Sequence, residues 1–370
     1  MAVWTSRAAA VAAPNVEGHW AVITNVPPTP SSAAASGELA PGTARALGAW
    51  SGGALGTIQR ADFSGMTYDD ARKQMVFMGG GHQSSTELGY ETNVLVLPMR
   101  TKAWTPLYPS MTPADIAAAT VGSDGLYVRT KQPPARHTYN DLIVLGDWLC
   151  LLHGRAGGYK AGDPDFIPCR YNLATNTARW EAVSPPMPAA SVCATAPTAD
   201  GRALVAMFNS GNWGRMGLYD PVPNTFVIVN DSDNTFGAWG SSGAFAYFPP
   251  NGKHYFLRGD RKVFEYVFNA RSPVASTWSE LVYTGPPPEA GYLTLSYDAV
   301  NHTLGGCVVN GKYWAVNPVT KIAKLTTLAV EAGSAGMPNT LFSCAGRDPA
   351  SNHLFALDAG VTWEINPPAF

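Results

Sequence analysis

Residues 292–328 read YLTLSYDAVNHTLGGCVVNGKYWAVNPVTKIAKLTTL. The stretch divides into four short β runs bounded by polar turns. A first run of small and aromatic residues ends at the turn holding Asp298. A very apolar run, TLGGCVV, follows and stops at Asn310-Gly311. The aromatic run KYWAVN leads into a second turn, and IAKLTTL closes the unit.

The same order recurs along the chain. Units of this kind occupy residues 56–108, 135–184, 190–230, 238–284, 290–328 and 339–367. Their first polar turns hold Asp70, Asp147, Asp200, Asn251, Asp298 and Asp348, at successive spacings of 77, 53, 51, 47 and 50 residues. The first spacing is long because residues 109–134 are inserted between the first two units. A period near ~50 residues with four strands per unit predicts a β-propeller. The expected fold is therefore all-β, a six-bladed propeller of four-stranded antiparallel blades in one domain.

The sixth unit ends after three strands. Residues 18–26, GHWAVITNV, have the aromatic and β-branched make-up of an outer strand and are expected to supply the fourth. That closure removes the open edge a linear array would leave. Residues 27–55, rich in Pro, Ser, Ala and Gly, are expected to cross to the first blade, and their lack of strand runs argues against a seventh. Helical signals are scarce; TPADIAAATVG, residues 112–122, fits a short helix with Thr112 as cap and Pro113 in its first turn.

Over residues 18–367 the units resemble the Kelch and galactose-oxidase central-domain family. Gly79 and Gly80 form a Kelch-like glycine pair in the first blade, with Trp104 later. The second and third blades depart from it, with LLHGR and AMFNSG where glycines belong. The resemblance implies a fold and no single activity, because such propellers serve as binding scaffolds, hydrolases, lyases and oxidases.

Composition narrows the classes. Charged residues are 14% of the 370, well below the roughly 25% of an average globular chain. The net charge is −2 with no basic block, which excludes a phosphate-neutralising surface for nucleic acid. No apolar run reaches the roughly 20 residues of a membrane span. The N-terminal stretch lacks a basic start and a leucine-rich core, so no signal peptide is expected. The five cysteines, Cys150, Cys169, Cys193, Cys307 and Cys344, show no CxxC spacing and read as buried free thiols.

Strand order predicts which residues share a face. The face where first strands begin, here the upper face, collects the loops between second and third strands. His82 ends the second strand of blade 1, Tyr90 follows in its loop, and Arg136 and His137 are expected to start the inner strand of blade 2. Tyr139, two residues past His137, is expected on the same side of that strand. His153 ends the next strand, and Arg155, Tyr159 and Lys160 follow in a long loop. Asn209, Trp213, Arg215, Arg258, Asp260 and Arg261 hold equivalent places around the ring. His254, His302 and His353 follow lower turns and read as pairing or surface residues. Convergent polar groups at a concave mouth are the arrangement that binds ligands.

Copper-oxidase chemistry does not fit this pattern, since no cysteine lies near the cluster and no Tyr-His pair holds the required inner-strand position. His82, His137 and His153 come from separate strands with no carboxylate close in sequence, so no metal site and no cofactor are expected. The expected function is a binding or structural module, a virion or extracellular protein such as a phage tail nozzle, fibre or adhesin. It would dock carbohydrate or protein neighbours, in several copies if it builds a ring, through His153, Arg155, Tyr159, Tyr90, Asn209, Trp213, Arg215 and Arg258. That expectation rests on analogy with propellers in virion tails. The alternative is a polysaccharide lyase for uronate-containing glycans. On that reading His137 or His82 is the base and Tyr139 the acid, with Arg136 or Arg155 neutralising the carboxylate.

Overall fold

The computed structural model describes residues 38–49, 65–79, 93–108, 111, 115, 118–134, 136–138, 140–152, 155–156, 168–177, 179–183, 192–208, 214–233, 243–289, 294–334, 336–338, 345–358 and 361–370. It is a six-bladed propeller of antiparallel sheets. The chain enters through β1 (Thr43–Ala49). Blade 1 is β2 (Gly65–Asp69), β3 (Gln74–Met78), β4 (Leu95–Pro98) and β5 (Thr105–Pro106). In blade 2 the two-residue β6 (Arg136–His137) precedes β7 (Leu142–Leu145) and β8 (Trp148–Leu151). The two-residue β9 (Arg155–Ala156), then β10 (Cys169–Asn172) and β11 (Trp180–Ala182), complete it.

Blade 3 is β12 (Val192–Pro197), β13 (Ala203–Phe208), β14 (Gly214–Asp220) and β15 (Thr225–Asp233). Blade 4 is β16 (Gly243–Phe248), β17 (Lys253–Arg258), β18 (Val263–Val267) and β19 (Thr277–Glu280). Blade 5 is β20 (Ser296–Asp298), β21 (Thr303–Val309), β22 (Lys312–Asn317) and β23 (Ile322–Thr327). The short β24 (Ala329–Val330) leads to blade 6, formed by β25 (Ala345–Arg347), β26 (Leu354–Asp358) and β27 (Val361–Asn366).

Blade 6 is completed by the N-terminal strand, but by a different one from that expected. β1 pairs antiparallel with β27, with Arg45 opposite Glu364 and Ala46 opposite Trp363. Residues 18–26 lie outside the described residues, and the place assigned to them is taken by residues expected to cross to blade 1. β24 then covers the far edge of β1 in parallel. TARALGA has little β propensity of its own. Its strand conformation comes from pairing with VTWEIN and from burying Ala44 and Leu47.

The turns explain the sequence period. Asp298 Oδ1 accepts from the backbone N–H groups of Val300 and Asn301, and Asp348 from those of Ala350 and Ser351. Asn172 and Asn317 do the same between third and fourth strands. These carboxylate and amide oxygens stand in for a backbone carbonyl and hold a tight turn. In blade 1 the residue in this role is Asp69, which accepts from Arg72 N–H, one place before the Asp70 of the spacing argument.

Both faces of each sheet are buried, one against each neighbouring blade. Val76 packs with Leu149, Leu151 and Tyr171 of blade 2, while Phe77 packs with Phe355 and Leu357 of blade 6. The same alternation sets Ile143 against blade 3, Phe245 toward blade 3 and Trp314 toward blade 4. Second strands therefore read as continuous apolar runs. Cys150 and Cys169 fall on opposite faces of blade 2 and are buried thiols outside any disulfide. Burial pushes the Cys150 thiol up to about 12.

The inserted segment lies along the outer edge of blade 2. Trp180 N–H donates to Lys131 O at 2.8 Å, and Trp180 Nε1 to the Tyr108 hydroxyl at 2.7 Å. Asp115 and Ala118, within the expected helix, are helical. Among the described residues no helix is long and apolar enough to cross a membrane.

Candidate functional site

The upper mouth of the ring is fixed by a few side chains on the inner strands. Thr138 Oγ1 donates to Met78 O and accepts from Gly65 N–H, both at 2.6 Å, tying blade 2 to blade 1. Asn140 O accepts from Thr195 N–H and Oγ1, both at 2.9 Å, and Asn140 Nδ2 donates to Gly243 O at 2.5 Å. One residue thus joins blades 2, 3 and 4. Buried polar groups paired in this way are costly to separate, so these bonds hold the inner strands of blades 1 to 4 in register with one another.

The inner strand of blade 2 is β7, six residues beyond the expected start at Arg136. Arg136 and His137 stand on β6, which pairs with β9 as a separate ladder: Arg136 is opposite Ala156 and His137 opposite Arg155. This ladder continues the β7–β8 hairpin upward, past the interruption that Thr138 and Asn140 make by bonding other blades. Three of the residues singled out from sequence are therefore neighbours on one hairpin end. His82, Tyr90, Tyr139, His153, Tyr159, Lys160, Asn209 and Trp213 lie outside the described residues.

Further round the ring, Arg215 is half-buried on β14, opposite Met207. Arg258 ends β17 opposite Gly243, so it stands next to the backbone that Asn140 bonds. Its guanidinium binds Asp260 through two hydrogen bonds and lies 4.7 Å from the centre of the Phe264 ring. Burial works against ionisation of Asp260, but Arg258 and the Lys262 N–H hold its carboxyl below the usual range. Arg261 takes the left-handed conformation that closes this turn, φ 72°. Among the described residues no three His, Cys, Asp or Glu side chains are grouped to hold a metal ion.

The lower histidines have structural partners. His302 Nδ1 lies 2.9 Å from the exposed Tyr297 hydroxyl. His254 Nε2 donates to Pro197 O at 2.9 Å across the blade 3–4 boundary, amid Phe245 and Tyr247. His353 belongs to a buried cluster that spacing did not reveal. The Glu364 carboxylate accepts from Arg45 Nη2 at 2.9 Å, Lys102 Nζ at 2.8 Å and His353 Nδ1 at 2.8 Å. These groups come from the closing strand, blade 1 and blade 6. The repeat did carry a signal: aligning KYWAVN with VTWEIN sets Glu364 where blade 5 has Ala315.

No family model matches the chain, and no curated protein does. Two solved structures are similar in fold. One is a fungal alcohol oxidase of the AA5 family in complex with copper, at TM-score 0.48 and 14% identity over 82% of this chain. The other is TolB from Acinetobacter baumannii, at TM-score 0.42 and 11% identity over 81% of this chain. The match spans 62% of the length of each. The likeness is one of fold alone; the six blades are read from the chain's own sheet order.

Proposed function

We propose that the protein is a non-redox propeller module that binds a carbohydrate or protein neighbour at its upper mouth, as part of a phage particle such as a tail nozzle, fibre or adhesin. The observation that supports a binding role is the β6–β9 ladder. It holds Arg136, His137 and Arg155 together at the end of a hairpin that Thr138 and Asn140 lock to three other blades. A hairpin end held in place before binding loses little entropy when a ligand docks on it. Cys150 and Cys169 are buried in blade 2 outside any disulfide, and burial raises the Cys150 thiol well above its ordinary range, which keeps it from thiol redox chemistry.

A second reading is favoured by the same register. His137 and Arg155 hold opposed positions in the β6–β9 ladder; on this reading the histidine is the base for the proton beside the carboxyl and the arginine the cation for the charge that develops there. The sugar then loses its ring-to-ring C–O bond and gains a C–C double bond, with Tyr139 protonating the departing oxygen.

His137→Ala and Arg155→Ala, tested on a broad glycan panel, address both. Binding at least ~10-fold weaker in each variant, with unchanged unfolding, is expected for the binding role. Intact binding in both removes the upper mouth from the function. A rise in ultraviolet absorbance with uronate polymers, lost in His137→Ala, establishes the lyase; silence across the polymers eliminates it.

A further inference from the structure

Each blade of a propeller ends in an outer strand whose edge is a template for another strand. Most of these edges are short or covered here, among the described residues. β5 has two residues. β11 is met by the inserted segment at Lys131 O, and β1 by β24. β23 is met by the chain crossing from blade 4, where Thr284 N–H donates to Lys321 O and Ala323 N–H to Thr284 O. β19 has four residues and carries Glu280, paired with Lys262.

β15 differs from all of these. At nine residues it is the longest described strand, and no described backbone group pairs with its outer edge. Its first six residues, TFVIVN, hold no charge and no proline. The ladder with β14 is regular from Thr225 to Ile228 and bulges only beyond. Val227 is 53% exposed, and Val222, in the preceding turn, is 85% exposed. Val274, 76% exposed, sits on a one-turn 3-10 helix of blade 4 (Pro273–Ala275) that lies beside β15. A lysine or a proline in the strand, or a segment hydrogen-bonded along this edge, is missing among the described residues; the 3-10 helix beside it makes no described backbone hydrogen bond to it.

We propose that the β15 edge is an interface between two copies of this chain, paired antiparallel about a two-fold axis at Val227. Only an extended backbone can satisfy a row of strand N–H and C=O groups. An uncharged strand meets no repulsion from its own copy. A two-fold axis perpendicular to the sheet keeps each face continuous, so Val227 meets Val227 and Phe226 meets Ile228 of the second copy. The two blade-3 sheets then form one sheet of eight strands. The paired segment, Thr225 to Val229 on each copy, is about 17 Å long at five residues, and Val222 and Val274 widen the apolar contact on either side.

Sedimentation velocity of the full chain over a concentration series tests this. A monomer–dimer equilibrium is expected, and Val227→Lys should weaken it by ~100-fold or more, since two like charges meet at the axis. At concentrations where the parent is monomeric the unfolding transition should not move, because Val227 is half exposed in the single chain. Val227→Cys should give a disulfide-linked dimer on mild oxidation where the parent chain gives none. A chain that stays monomeric, a Val227→Lys variant that dimerises like the parent, or a Val227→Cys variant that fails to cross-link overturns the proposal.

Discussion

Substituting Glu364 by Gln should destabilise the ring and flatten its response to acid. The carboxylate is 3% exposed and bound by Arg45, Lys102 and His353. Burial opposes its ionisation, but the hydrogen bonds from His353, Lys102 and Arg45 prevail and lower its pKa from 4.5 to about 2. At roughly 1.4 kcal/mol per pH unit, that preference is worth about 3 kcal/mol. The sign follows from which state takes up the proton first. As pH falls, the unfolded chain protonates this group before the folded one does. The contribution is therefore full above about 4.5 and is lost between about 4.5 and about 2. The substituted amide keeps the shape and removes the charge, leaving Arg45 and Lys102 facing a neutral group. Glu331 cannot take over: it is 3.7 Å from Arg45 and 41% exposed. Breaking one side of a buried ion cluster costs about 3 kcal/mol or more. Urea unfolding followed by tryptophan fluorescence, at neutral pH and then down the acid series, reads both effects. A Glu364→Gln variant as stable as the parent at neutral pH, or one with an equally steep loss in acid, would refute the reasoning.

His254 should act in a different acid window. Burial depresses its pKa from 6.5 to about 4 despite the hydrogen bond to Pro197 O, so the folded state favours the neutral ring. Stability should be full above about 6.5 and fall by about 3 kcal/mol as pH drops to about 4. His254→Phe should lose about 1 kcal/mol at neutral pH for the stranded Pro197 carbonyl and show no slope there; a parent chain with no slope in that range contradicts the assignment. Gly285 has φ +109°, and a Cβ there would stand 2.1 Å from Ala323 O. Gly285→Ala should cost about 2–4 kcal/mol in thermal unfolding, and an unchanged midpoint would show that the crossing between blades 4 and 5 is not constrained as described.

The propeller was legible because its turns repeat one physical device. Asp298, Asp348, Asn172 and Asn317 each fold the chain with their own side-chain oxygen, so polar residues recur wherever strands end. The closing strand was not legible, because local propensity favours GHWAVITNV over TARALGA, and only the partner VTWEIN makes a strand of the latter. The start of blade 2 was misplaced for a related reason. Thr138 and Asn140 spend their hydrogen bonds on other blades and split one hairpin into two ladders. His137 and Arg155 were grouped from sequence order, yet their direct opposition is a matter of register that spacing across a long hairpin does not fix. The Glu364 cluster draws on residues hundreds of positions apart, and no local pattern joins them.

The pairing of β1 with β27 also dictates an order of events during synthesis. Arg45 and Glu364 are 319 residues apart, yet they meet in one blade. The inner blades can each pair as they leave the ribosome, while β1 waits for a partner that emerges after all of them. Bringing such distant segments together carries the loop-closure cost of that whole span, and contacts of long range form slowly. Ring closure is then the final step. A polypeptide cut short before β27 leaves β1 without its antiparallel partner and blade 6 with an open edge, a template for pairing with other chains.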